Sequence, residues 1–253
     1  MQQVFDFPIS TKYDFMNFVV CNGNSTAFQF AKLLVKDAAH NLLYIHGPSG
    51  SGKTHLLRAL SNSLSSSQGG SPLPFLSAGE IDDIYLGDYS DESVSKLSER
   101  FKNEPALLID DIHLLPDNPR LRSELWQLFN DFYASRRKIA VTGLNPPKEL
   151  PHLDDHLVSR LLWGLVARVD ISDDDSRRMI MKKLAADRNI RLHAEVIDFL
   201  IANTHRELPA LISSLNTIHR YSLATKKKIS LKLAREALQY SEGGNSRKIL
   251  PNP

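Results

Sequence analysis

Apolar and polar positions alternate along the chain in two different periods, and the switch between them divides the sequence. After a turn-like start at Tyr13, apolar residues at helical spacing predict a helix over residues 25–38. "NLLYIHG" (41–47) is a short apolar run ending in glycine, the pattern of a buried strand, and residues 54–63 again read as helix. "SSSQGGSPLP" (65–74) is a loop by composition. "FLSA" (75–78), "PALLIDD" (105–111) and "KIAVTG" (138–143) read as further strands, with a helix over 123–136 between the last two. Strands alternating with helices imply a parallel sheet flanked by helices on both faces. After Arg177 four helix-like segments follow with no strand between them, which predicts a small all-helical module. The expected division is a tail at 1–9, an α/β domain at 10–172, a helical domain at 173–241 and a loose tail at 242–253.

Composition narrows the class. The 253 residues are 42% hydrophobic, enough for full cores, and no apolar run approaches the roughly 20 residues of a membrane helix. The single cysteine, Cys21, cannot form an internal disulfide, and the N-terminus lacks the basic and apolar regions of a secretory signal. A cytoplasmic protein is expected. The net charge of +2 conceals an asymmetry: residues 1–176 hold 16 Lys and Arg against 23 Asp and Glu, whereas residues 177–253 hold 15 against 6. The basic part fits either solvated helical faces or a surface for nucleic acid or another acidic partner.

One stretch carries explicit chemistry. Gly47-Pro48-Ser49-Gly50-Ser51-Gly52-Lys53-Thr54 satisfies G-x-x-x-x-G-K-[ST] between a predicted strand and a predicted helix. Glycines let such a loop wrap so that backbone N–H groups face a phosphate, and the helix N-terminus adds its positive dipole end. Lys53 is placed to reach β/γ oxygens, and Thr54 to ligate Mg²⁺. "ALLIDD" then delivers Asp110 to a strand end, where it can hold the metal through water. Asp111 follows where a general base could polarise an attacking water, one methylene shorter than glutamate.

Beyond the loop, "GKTHLL", "LLIDDIHLL", "NPPKEL", "LVSRLLWGL" and "HREL" occur in an order that resembles the AAA+ core of the bacterial replication initiator DnaA. "YDFMNFVVCNGNSTAFQFA" (13–31) is similar to that family's adenine-side box. The resemblance covers roughly residues 10–240 and implies an α/β; P-loop AAA+ domain followed by a helical lid. It implies ADP or ATP with Mg²⁺ as the bound cofactor, without deciding between the two nucleotides. It assigns Phe18, Val19, Val20 and Asn24 to the base, and His55 to the nucleotide-binding run. It also assigns Arg160 to an arginine finger that enters a neighbouring protomer's site, and Arg206 to a second sensor acting in cis. One motif departs: where the family carries an acid as first sensor, this chain has Leu144 in "TGLNPP", leaving Thr142 or Asn145 as the polar substitutes.

Only 46 residues precede Gly47 and about a dozen follow the lid, so the expectation is a stand-alone core without appended domains. That architecture resembles the short inactivators of the initiator, the Hda type, which promote hydrolysis of initiator-bound ATP. Such proteins begin with a peptide that docks on the sliding clamp, and "QQVFDFP" offers Gln3, Val4, Phe5 and Phe7 in that style, with Gln2 or Gln3 as anchor. The implied partners are the initiator and the clamp, DNA indirectly or weakly, and a second copy of the chain. The alternative expectation is an autonomous AAA+ ATPase acting on DNA, such as a helicase loader or a remodelling oligomer.

Overall fold

The computed structural model describes residues 13–66, 73–77, 79–81, 97–150 and 153–242. The N-terminal tail with Gln3, Val4, Phe5 and Phe7, and the C-terminal tail from 243, lie outside the described residues. The chain divides by its internal packing into two units, the first ending at Asp170 and the second beginning at Ile171.

The first unit is built on a parallel sheet. Its strands are β1 (Leu42–His46), β2 (Ala106–Ile109), β3 (Lys138–Gly143) and β4 (Leu165–Arg168), in the order β2-β3-β1-β4. β1 pairs in parallel with β3, placing His46 opposite Gly143, and with β4, placing His46 opposite Arg168. β2 pairs in parallel with β3, with Ile109 opposite Val141. The helices are α1 (Ser25–Lys36), α2 (Lys53–Ser66), α3 (Pro119–Ala134) and α4 (Asp155–Leu161).

Period-two alternation decides what each strand buries. Leu42 and Tyr44, Leu107 and Ile109, and Ile139 and Val141 share one core with Leu121, Leu125, Leu128, Phe129 and Phe132 of α3 and Leu157 and Leu161 of α4. Leu43, Ile45, Leu108 and Ala140 alternate with them and are equally buried, on the face covered by α1 and α2 through Ala27, Ala31, Leu34, Leu56, Leu57 and Leu60. The central strands are therefore apolar at successive positions, as burial on both faces requires.

Two expected elements change their extent, each for a local reason. The helix expected at 123 begins at Pro119, because Asn118 caps it by accepting from the N–H groups of Arg120 and Leu121 and proline fits the first turn. The strand expected at 75–78 contracts to a single parallel bridge, Leu76 opposite Ile109, made by Leu76 N–H to Leu108 O (2.8 Å) and Asp110 N–H to Leu76 O (2.9 Å). Pro74 just before it has no N–H to extend the ladder. β4 and α4 were not apparent in the sequence pattern. Among the described residues β4 pairs only with β1, and it leaves Arg168 exposed, so it lacks the apolar continuity of the central strands.

The second unit is helical: α5 (Asp174–Asp187), α6 (Ala194–Asn203), α7 (Leu208–Thr225) and α8 (Leu231–Glu242). Met181 and Ala185, Val196, Ile197, Leu200 and Ile201, Leu211, Leu215 and Ile218, and Leu233, Ala234 and Ala237 form its buried set. Arg178 ties α5 to α6 by donating to Asp198 (2.6 Å). No helix among the described residues is long and apolar enough to cross a membrane.

α5 starts at a cap that titrates. The Asp173 carboxylate accepts from the Ser176 N–H (2.7 Å) and hydroxyl (2.6 Å), and these bonds, the hydroxyl's first, hold its pKa below the ordinary 3.8. A carboxyl with a lowered folded-state pKa contributes stability above its unfolded value and loses it as pH falls through the folded one. Asp173→Ala should therefore lower the thermal midpoint at pH 7, with the gap to wild type closing as pH drops below about 3.8. A gap that persists unchanged into strong acid would refute the carboxylate's role.

Candidate nucleotide site

Because all four strands run in parallel, their C-terminal ends meet at one edge of the sheet, and four loops open there. Gly47 follows β1, Asp110 and Asp111 follow β2, Leu144 and Asn145 follow β3, and Val169 follows β4. The loops are stitched together: Gly47 N–H donates to Gly143 O (3.3 Å) and Val169 N–H to His46 O (2.7 Å).

Gly47, Gly50 and Gly52 of the loop at 47–54 all have positive φ, and at two of them a side chain would also crowd a neighbour. Gly47 has φ 150°, and a Cβ there would lie 2.0 Å from Val169 O. Gly52 has φ 103°, and its Cβ would come within 3.2 Å of the Phe18 ring. Pro48, Ser49 and Gly50 form the exposed tip. Lys53 is 5% exposed, and its ammonium donates to the carbonyls of Gly47 (2.9 Å) and Pro48 (3.0 Å). It also pairs with Asp111, at 4.0 Å. Burial lowers the Lys53 pKa, and the charges of Asp111 and Asp110 partly offset that. Ser51 Oγ is buried without a hydrogen-bond partner among the described residues. A buried cation, an unpartnered buried hydroxyl and glycine-only backbone in one loop fit a phosphate group.

The acids sit beside it in a connected network. The Thr54 hydroxyl donates to Asp110 Oδ1 (3.3 Å), and the Thr142 hydroxyl donates to the same oxygen (2.6 Å) while accepting from the Asp111 N–H (2.8 Å). Asp111 is held in a left-handed conformation, φ 49° and ψ 55°. Thr142 is fully buried, so this network is shielded from solvent on the β3 side. Leu144 instead lies 40% exposed. Of the two polar substitutes, Thr142 reaches the acids, whereas Asn145 accepts from the Tyr44 hydroxyl through its backbone carbonyl (2.7 Å). That hydroxyl is buried, and its pKa is pushed well above the ordinary value by burial and then by Asp111. A cleft of about 460 Å³ opens beside the loop, bordered by His46, Leu144, Glu149 and Arg168. Burial, and next the charge of Arg168, lowers the His46 pKa.

The segment before α1 folds over the start of α2. Asn24 is buried and closes its own turn, accepting from the Cys21 N–H (2.8 Å) and donating to Val19 O (2.9 Å). Asp170 N–H donates to Gly23 O (2.8 Å), which ties this turn to the end of β4. Phe18 stacks on Phe28 (5.7 Å) and meets the His55 ring edge-on (5.1 Å), while Val20 is 39% exposed. Phe18, Val19, Asn24 and His55 are thus brought together with the loop at 47–54.

Arg160 lies on α4, away from this edge, half-buried with its guanidinium against the rings of Trp163 (4.1 Å), Trp126 (5.2 Å) and Tyr133 (5.8 Å). It makes no ion pair among the described residues; Asp154 pairs with Arg122 (3.8 Å). In the helical unit Arg206 is exposed in the turn before α7. Its carbonyl accepts from Arg177 Nε (2.8 Å), and Arg177 also pairs with Asp174 (2.6 Å). Arg177 is 7% exposed, a buried anchor for the Arg206 turn that sequence reasoning missed. Its only sequence signal was an arginine one helical turn after an N-cap acid.

Two measurements test this geometry. Lys53→Ala should weaken adenine-nucleotide binding by ~10- to 100-fold in calorimetry, the value of a charge-assisted contact. Thr142→Val keeps the shape but strips the Asp111 N–H and Asp110 of a partner. It should reduce unfolding free energy by about 1–3 kcal/mol in urea titration; an unchanged midpoint would deny the network its role.

Comparison with known proteins agrees with this geometry. The model of the bacterial DnaA ATPase domain matches residues 9–168, and that of the Hda lid domain matches residues 174–238. The chromosomal replication initiator protein DnaA of Thermoanaerobacter sp. (strain X514) is 32% identical over 244 residues, which are 95% of this chain. The chain spans 55% of that relative's length. Domain III of the Thermotoga maritima replication initiation protein DnaA superposes with a TM-score of 0.79 at 29% identity, over 92% of this chain and 98% of that one. AMPPCP-bound DnaA from Aquifex aeolicus does so with 0.74 at 26%, over 94% and 70%. With one family model covering the whole sheet and its phosphate loop, the chain belongs to the bacterial DnaA ATPase family.

Proposed function

We propose that this chain is an adenine-nucleotide-binding regulator of replication initiation that promotes hydrolysis of ATP bound to the initiator, with Arg160 as a finger in trans. The observation that carries the reading is the state of Arg160. It is half-buried and charged, and no acid among the described residues lies in ion-pair range. A planar, permanently charged fork in that condition suits phosphoryl oxygens supplied by another molecule.

In this reading the chain's own nucleotide is regulatory. Phe18, Val19, Val20, Asn24 and His55 surround the base side, and Lys53 with the N–H groups of residues 47–54 holds the phosphates. Among the described residues no three His, Cys, Asp or Glu side chains cluster for a metal. Mg²⁺ would therefore be held by Thr54, by Asp110 through water and by the nucleotide's own oxygens, neutralising phosphate charge when bound. Asp111 is the base candidate, and Arg206 the second sensor in cis. The tail residues Gln3, Val4, Phe5 and Phe7 dock on the sliding clamp, offering a polar anchor and aromatic side chains.

A second reading, an autonomous ATPase acting on DNA, is favoured by one observation: the Thr142 hydroxyl contacts Asp110 and supplies the polarity that Leu144 lacks. Steady-state turnover of the chain alone separates the two. Rates near ~10 per second would favour the autonomous machine; slow turnover that leaves initiator-bound ATP as the substrate favours the regulator.

With initiator, clamp and DNA present, Arg160→Ala should bind nucleotide normally yet stimulate hydrolysis ~10³-fold less, and Arg160→Lys should rescue poorly. Undiminished stimulation by the alanine variant would end the finger assignment. Replacing Gln3, Phe5 and Phe7 with alanine should abolish clamp capture in a pull-down while leaving nucleotide affinity intact.

A further inference from the structure

The surroundings of Arg160 are more specific than a solvated arginine requires. Trp126 and Tyr133 stand seven residues apart on α3, on one face, and both pack partly into the core. Trp163 closes the third side, just after α4, where its N–H donates to Arg160 O (3.0 Å). Its ring meets that of Tyr133 edge-on at 5.6 Å. The residue after it is forced: a Cβ on Gly164 would lie 2.4 Å from the Leu42 side chain and 2.6 Å from the Leu42 carbonyl oxygen. Gly164 therefore lets the backbone press against β1, which fixes where Trp163 leaves the chain. Trp163 is nonetheless 55% exposed.

A guanidinium can be held in two ways with opposite consequences. A carboxylate takes its N–H donors and satisfies them. An aromatic face takes its π surface and leaves the in-plane donors pointing outward. Arg160 is held in the second way: three rings lie within 6 Å, and no side-chain hydrogen bond or ion pair of its own is present among the described residues. Asp154, at the N-cap of α4, pairs with Arg122 instead.

We propose that Trp163, backed by Trp126 and Tyr133, is a cradle that positions Arg160 by the face of its guanidinium and keeps the in-plane N–H donors free for phosphoryl oxygens carried by another chain. This rests on Arg160 being a finger in trans and adds the residues that aim it. Trp163 is a positioning residue: it holds the arginine and does not touch the nucleotide.

The chain has two tryptophans, and both flank Arg160, so intrinsic fluorescence reports on the cradle directly. Emission of Arg160→Ala should differ from wild type in intensity or maximum, with the circular dichroism spectrum unchanged. In the assay of initiator-bound ATP hydrolysis, Trp163→Leu should lower the stimulated rate about three- to fivefold, the scale of a cation–π contact at a half-exposed ring. Trp163→Phe, which restores an aromatic face, should recover most of it, and both variants should bind ADP as wild type does. Rescue by phenylalanine is the part that a merely structural tryptophan at an exposed position does not explain; if the leucine variant aggregates, Trp163→Thr makes the same cut without adding apolar surface. Full stimulation by Trp163→Leu beside an inactive Arg160→Ala would overturn the cradle and leave the finger standing. Full stimulation by Arg160→Ala would overturn the finger and the cradle with it. Identical emission from Arg160→Ala and wild type would show that the guanidinium does not rest on the indoles, and would also overturn the proposal.

Discussion

Parallel pairing is the constraint on which the site depends. If β1, β2 and β3 did not all run the same way, the glycine loop, the acid pair and Thr142 would open at different ends of the sheet. Registered as they are, Gly47 lies within a hydrogen bond of Gly143, and Asp110 within one of Thr142 and Thr54. Parallel pairing demands crossovers, crossovers put helices on both faces, and both faces then need apolar strands. The run "LLYI", buried at every position, is the sequence-level trace of that demand.

Two kinds of signal were legible before the structure, and one was not. Continuous apolar runs marked β1, β2 and β3, because double-sided burial leaves no polar position to confuse the period. Local motifs marked the phosphate loop and the acids, since their chemistry is contiguous in sequence. Interactions between distant segments left no local mark: Arg160 meets Trp126 and Tyr133 across separate helices, and Arg177 on α5 reaches the carbonyl of Arg206 in the turn before α7. β4 escaped notice because an edge strand pairs on one side only, and the strand expected at 75–78 shrank to a bridge because pairing needs donors on both sides of the bridge.

The "TGLNPP" departure is less severe than it reads. Leu144 is solvent-facing, but the position that contacts the acids is Thr142, two residues earlier on a strand whose side chains alternate. Loss of an acid from the loop therefore does not empty the acid network of polarity. The polar contact to the acids comes from a buried strand position, which tolerates change less than a loop does.

Asp111 stands in a left-handed conformation that few residues other than glycine, asparagine and aspartate adopt readily. The turn that aims its N–H at Thr142 is the same turn that sets which side chain can follow Asp110. Lengthening the acid to glutamate would extend its reach toward a water, but at a backbone position that favours the shorter side chain. Evolution or engineering toward a faster hydrolase would then have to remodel this turn together with the side chain, two changes that bring gain only in combination. Such a coupled step is a barrier that gradual substitution crosses rarely.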